Sequence, residues 1–404
     1  MTADDTGRAG AFDDGHPGRA SRGDAIADRA LVEGGPRDGT RSREAISNGA
    51  LGLLRDCVGA RAGERLLIVR EPAGAGYYDA EVPERVERTA RALGLRVRAT
   101  EAPTALVDGR ASEAFVGTLG GVDHVVFLAR VGDQLRFGTP VRLPSATMCY
   151  ALEGRTLDAD FGTVSHAGLC AIRALVETAL AEASEIRVSC PRGTDYRGRV
   201  APESGPASTA ASDTVLKRFP MLVPRAVRTR GFRGRVVLSR FLVGTGSHFY
   251  EPYSLPLAED LVAHVEDGRL VRLEGSAEAV RRVNAHCADI GARYGADPRC
   301  VHSWHAGIHP ACTFAGDARR DMLRWSGSAF GNPRLLHFHT CGDYAPGEIS
   351  WNLLDPTVSV DGVALWEAGR LHPERLPGGA ALLARHPRLA ALYRAPRREV
   401  GLDG

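Results

Sequence analysis

The 404-residue chain reads as an α/β N-terminal domain with a mostly parallel sheet, followed by an α+β C-terminal domain. Three observations predict this. Over residues 45–192, short apolar runs alternate with amphipathic helical stretches, the pattern of βαβ units. Beyond residue 232, strand-like runs follow one another through tight turns, with a single clear helix among them. The chain is 44% hydrophobic and 25% charged, enough to fill two cores, yet no apolar run approaches a membrane span.

The elements follow in order. Residues 1–44 hold Gly, Asp, Arg and Ser with almost no large apolar side chains, so they bury too little to offset ordering entropy and are expected to be a disordered tail. Asp4, Asp5, Asp13 and Asp14 interrupt any apolar core there, and no secretory signal is expected. Arg65–Val69 is a buried strand, and Val82, Val86, Ala90 and Leu93 mark one face of a helix that Gly94 ends. Leu95–Ala99 and Val122–Leu128 are further strands. Leu169, Ile172, Val176, Leu180 and Ala183 give a second helix, followed by the strand Ile186–Cys190. Gly74 and Gly76 do not complete GxGxxG and read as an ordinary βα loop.

Residues 193–232, rich in Gly, Pro, Ser and Thr, are expected to be a linker or crossover. The α+β domain spans 233–370. Its strands include Val236–Leu238, Leu261–Val265, Leu270–Leu273 and Val358–Val360, and its helix carries Val280, Val283, Cys287, Ile290 and Tyr294. Residues 371–404 form a helical tail.

Net charge is +2, from 51 basic and 49 acidic residues, which argues against nucleic acid or an anionic membrane as the main partner. Lys217 is the one lysine, a matter of codon bias rather than function. Eight Cys are widely spaced without CxxC, the usage of a reducing compartment with buried thiols, so a cytoplasmic location is expected.

The chemistry is expected where the histidines gather. Five of 13 fall between 302 and 339: His302, His305, His309, His337 and His339. His337 and His339, two apart in a strand, face the same way and suit a divalent ion. Asp343 and Glu348 follow in a Gly/Pro-rich loop that can bring a carboxylate to them. Two His and one carboxylate make a non-haem iron site, and with a bound water they also suit a zinc hydrolase. Weaker candidates are His248 with Tyr250 and Glu251. Ser303, Ser326, Ser328 and Ser350 lack GxSxG, and Cys312 and Cys341 read as buried and inert.

The second domain resembles the aminopeptidase T (M29-type) metallopeptidase superfamily, and within it the 2,5-dihydroxypyridine 5,6-dioxygenase branch. The resemblance rests on Leu261–Gly275, the helix Ala279–Tyr294, Ser303–Pro310, Ala329–Asn332 with Leu335–Gly342, and Glu348–Ser350 ahead of Asp361-Gly362. In an ungapped alignment the family's first metal ligand falls on Ser303 and its His-x-Asp pair on Glu348 and Ser350. A rebuilt centre is therefore expected, in which His302, His305 or His309 replaces the ligand lost at Ser303 and His337, His339 and Glu348 complete the set; His302 is assigned as that ligand, and His305, His309 and Asp343 to catalysis. Trp304, Trp325 and Trp351 are expected to line the substrate pocket. The resemblance implies a metal-dependent enzyme, iron(II) first and zinc or manganese next, and a homodimer. Oxygenase chemistry on a small polar or aromatic metabolite is favoured, with an aminopeptidase-like amide hydrolase as the alternative. A metal-free homologue that binds a peptide or metabolite is a third reading. The spacing Gly331…His337-x-His339…Asp343 is also similar to a cupin motif, but the helices of residues 45–192 and 279–294 oppose a jelly roll.

Overall fold

The computed structural model describes residues 46–103, 112–137, 143–200, 216–244 and 249–402. The expected tail, 1–44, and His248 lie outside them.

Four strands, β1 (Arg65–Arg70), β2 (Arg96–Glu101), β3 (His124–Leu128) and β4 (Ser145–Cys149), pair in parallel in the order β2-β1-β3-β4. β1 and β3 are continuous buried apolar runs because both faces are covered, whereas the edge strand β2 is largely exposed. The helix Glu81–Ala92 lies between β1 and β2 and buries Val82, Val86 and Ala90. Helix His166–Ala181 follows β4, but the next strand leaves this sheet. β5 (Ile186–Ser189) and β6 (Asp195–Gly198) pair antiparallel in a second sheet. β7 (Leu216–Phe219) then returns to β4 as a fifth parallel strand. The stretch expected to be a linker therefore supplies strands to the sheets on either side of it.

The remaining strands are β8 (Val227–Arg228), β9 (Phe232–Leu238), β10 (Phe241–Val243), β11 (Ser254–Pro256), β12 (Leu261–Glu266), β13 (Arg269–Glu274), β14 (Val301–Ala306), β15 (Leu335–Cys341), β16 (Glu348–Leu354), β17 (Thr357–Val360), β18 (Val363–Glu367) and β19 (Arg370–Leu371). They build two antiparallel sheets, β13-β12-β9-β6-β5-β17-β18-β19 and β11-β10-β16-β15-β14-β8. Asp267-Gly268 turns β12 into β13 with positive φ at both residues, the geometry of a type I′ hairpin.

Helix Ala277–Tyr294 is capped by Ser276, whose Oγ accepts from Ala279 N at 3.3 Å, and ends at Gly295 in the left-handed region. The six-stranded sheet turns Trp304, Phe338 and Trp351 inward to a core shared with Tyr196, Phe232 and Val236 of the eight-stranded one. The helical C-terminal segment is pinned to this region, because Tyr393 OH donates to Ile308 O at 2.8 Å. Among the described residues, no helix is long and apolar enough to cross a membrane. All eight cysteines are free.

Candidate metal centre

β15 is the middle of three antiparallel strands. In its register His337 lies opposite His305 on β14 and Asn352 on β16, while His339 lies opposite Ser303 and Ser350. Residues opposite one another point to one face. Thus Ser303, His305, His337, His339, Ser350 and Asn352 share a face, and Trp304, Phe338 and Trp351 take the other. His339 stands between the two serines at which the family resemblance expects ligands.

Three imidazoles meet here. His305 Nε2 is 2.7 Å from His337 Nε2 and 3.0 Å from His339 Nε2. Two of the rings are fixed from behind. His305 Nδ1–H donates to Pro224 O at 3.0 Å, and His339 Nδ1–H to Asp343 O at 3.1 Å. A carbonyl only accepts, so both Nδ1 atoms carry the proton and both Nε2 atoms present lone pairs. A proton on His337 Nε2 can bridge to His305. With both rings neutral, the lone pairs of His305 and His339 face each other, an arrangement that calls for a positive centre, either a proton on the raised His339 or an ion. Ligands at about 2.1 Å and about 90° would stand about 3.0 Å apart, so the separations fit one ion. Phe330 stacks on His337 with centroids 4.3 Å apart and holds the third ring.

The electrostatics separate the two β15 histidines. Burial holds His337 well below the ordinary histidine range, and His305, His339 and Arg218 add to this, so it stays neutral, the form that binds metal. Burial also pulls on His339, but the Glu348 carboxylate and the contacts with Asp343 outweigh it and leave the ring raised. Glu348 is itself buried. Its Oε1 accepts from Ser350 Oγ at 2.8 Å and lies 3.4 Å from His339 Nδ1. Glu348 therefore stands behind His339, not beside the convergent Nε2 atoms, in the position from which a carboxylate orients a metal-binding histidine.

Several expected site residues go elsewhere. His302, next to Ser303, alternates off the histidine face; its Nε2 donates to Cys341 O at 2.9 Å. His309 is fully buried with both nitrogens satisfied, donating to Phe161 O at 3.1 Å and accepting from Ala311 N at 3.2 Å. Burial lowers it to about 3, so it is a neutral structural ring rather than an acid or base. The Asp343 carboxylate pairs with Arg228 at 2.6 Å, and only its carbonyl serves the cluster. Trp304, Trp325 and Trp351 are buried core residues. Alternation sends Trp304 and Trp351 to the opposite face, while Trp325 packs behind Phe330 at 5.2 Å and donates to Val400 O.

His305, expected to act in catalysis, joins His337 and His339 instead: these three alone among the described residues form a group able to hold a metal ion. Ser303 and His305, two apart in a strand, carry the same spacing signal as His337 and His339. Asn352 was not singled out from sequence, where an Asn in an apolar strand gives no warning.

No family profile matches the chain, and no curated sequence does. Among solved structures it is similar to a 2,5-dihydroxypyridine dioxygenase from Pseudomonas putida KT2440, with a TM-score of 0.52 and 16% identity over 80% of this chain and 95% of that one. This chain has that fold. AmpT from Thermus thermophilus also aligns, with a TM-score of 0.43 and 12% identity over 80% of this chain and 98% of that one. The mixed α/β architecture, a five-stranded parallel sheet with antiparallel sheets, agrees with the fold class that the sequence resemblance implies.

Proposed function

We propose that this chain is a metal-dependent enzyme in which His305, His337 and His339 hold one divalent ion through Nε2. Iron(II) is the first choice and zinc or manganese the next, with oxygenase-type chemistry on a small polar or aromatic metabolite. The observation that carries this is the convergence of the Nε2 atoms of His305, His337 and His339, with His305 and His339 each locked by a carbonyl at Nδ1. Bound there, the ion would supply a Lewis-acid centre with open positions for water, oxygen or substrate.

The protein's own groups have separate tasks. The Asp343 carbonyl and the Glu348 carboxylate hold the His339 Nδ1 proton and so fix its tautomer. Phe330 keeps the ring of His337 in plane and water off its face. The likeness to a dioxygenase fold favours the oxygenase reading. A second reading, a zinc amide hydrolase, is favoured by the donor set: three imidazoles suit zinc with a bound water. A two-metal hydrolase fits less well, since it wants bridging carboxylates. Asp343 is paired with Arg228, and Glu348 lies behind His339.

Metal analysis of protein purified without a His tag tests the proposal. Iron or zinc at about one ion per chain, lost in His337→Ala and His339→Ala, is the expected result. A metal-free protein that functions normally with both histidines replaced would leave only a binding module. Oxygen uptake against aminoacyl-amide hydrolysis then separates the two chemistries.

A further inference from the structure

The histidine face carries one more group whose chemistry is unfilled. Asn352 sits on β16 directly opposite His337. It alternates with Ser350 and Glu348, which face His339, so it shares their face. Its side chain is 7% exposed, and neither its amide nitrogen nor its carbonyl oxygen has a partner. Among the described residues it is the only one left with two such atoms. The contrast within the molecule is Asn332. That buried amide donates to Cys312 O at 2.6 Å and to Arg397 O at 3.0 Å, and accepts from Arg334 N at 2.8 Å. Asn332 is what a structural asparagine looks like here. Burying an amide with both ends empty is unfavourable unless something completes it. Ser303 Oγ and Glu348 Oε2, on the same face as the three imidazoles, are also without partners.

We propose that Asn352 reads the substrate, which presents a hydrogen-bond donor and acceptor side by side. A carboxamide is planar with one N–H edge and one C=O edge, and its complement is another such edge in the reverse order: a primary or secondary cis amide, a lactam or a protonated carboxyl. Seated on Asn352, that edge lies one strand away from His337, and the rest of the substrate is directed toward the convergent Nε2 atoms. This rests on the histidine face being an active site.

Calorimetric titration of the full-length protein with benzamide and with N,N-dimethylbenzamide, which cannot donate, tests it. Benzamide is expected to bind at least about tenfold more tightly, the worth of one good hydrogen bond. Asn352→Leu should abolish that preference while keeping metal content and an equal or higher melting temperature, because the orphaned pair is gone. Asn352→Asp, which only accepts, should turn the preference toward benzamidine. Equal response to the two amides, absence of binding by both included, overturns the proposal; so does an Asn352→Leu protein that still discriminates. If the leucine variant fails to fold, the aspartate variant, nearly identical in shape, decides alone. Metal content of the same samples separates the two readings. Amide preference in a protein that takes up no metal refutes the metal centre only, whereas metal without amide preference refutes the role of Asn352 only.

Discussion

β1 and β15 are both sealed along their centres, yet they are built on opposite rules. β1 buries Leu66, Leu67, Ile68 and Val69 in succession, since helices and neighbouring strands cover it from both sides. β15 buries all seven residues, but alternates apolar Leu336 and Phe338 with polar His337, His339 and Thr340 nearby. A buried strand gains nothing from imidazoles that it could not gain from valines. The polar face of β15 is therefore maintained against packing, and its partners are other polar groups rather than water. What the difference teaches is where to look: chemistry sits on a strand that is as dry as the core and does not have the core's composition.

Two matched substitutions would break the comparison if it is wrong. His337→Ala should remove the bound metal and lower activity by about a hundred- to a thousandfold, as loss of a principal electrostatic group does, with the fold retained by circular dichroism. Phe127→Ala in β3, at a wholly buried position, should do the reverse. It should lower stability by about 3–5 kcal/mol in denaturant titration and leave the metal content of the folded fraction unchanged. Equal loss of metal in both would mean that the histidine face has no special role.

The same contrast explains what the sequence made legible. β1 and β3 are readable because double burial writes itself as continuous apolar text, whereas β4 and β7 do not stand out in the sequence and β7 falls in the expected linker. β5 was placed in the wrong sheet although its Ile-Arg-Val-Ser alternation, buried at Ile186 and Val188 and exposed at Arg187, is the mark of an antiparallel strand. On the histidine face, His337-x-His339 was legible from local spacing. The exchange of roles between His302 and His305 was not, because it depends on which face of β14 meets β15, a pairing across the sheet. The quiet role of His309 was hidden as well, since its partner Phe161 is 148 residues away.

His309 and the cluster also differ in their response to acid. His309 is held at about 3 and His166 at about 4, both chiefly by burial. Their folded values lie below the unfolded one, so the unfolded chain binds more protons as pH falls. The stability they contribute is complete above about pH 6.5 and is lost progressively toward the folded values, by up to about 1.4 kcal/mol per pH unit for each fully buried ring. His309→Gln can keep both hydrogen bonds without titrating. Its acid unfolding midpoint should move to lower pH, as followed by tryptophan fluorescence, with metal content at pH 7.5 unchanged.

Glu348→Gln sharpens the comparison on the polar side alone. The amide can still accept from Ser350 but removes the charge behind His339, and metal affinity should fall about 10- to 100-fold in competition with a chelator.

The smallest effect is expected one step further out. Arg228 holds the Asp343 carboxylate at 2.6 Å, and the same residue's carbonyl holds His339 Nδ1. The pair is about a quarter exposed, with side chains at 27% and 24%, so water screens it and its direct contribution is at most about 1 kcal/mol. Arg228→Gln should therefore lower metal affinity only a few-fold, without a measurable change in melting temperature, and wild-type affinity should approach that of the variant as salt is raised. A loss as large as that of Glu348→Gln would mean that Asp343 itself reaches the ion once the arginine releases it. A complete lack of effect would mean that the 342–347 loop is held in place by its backbone alone.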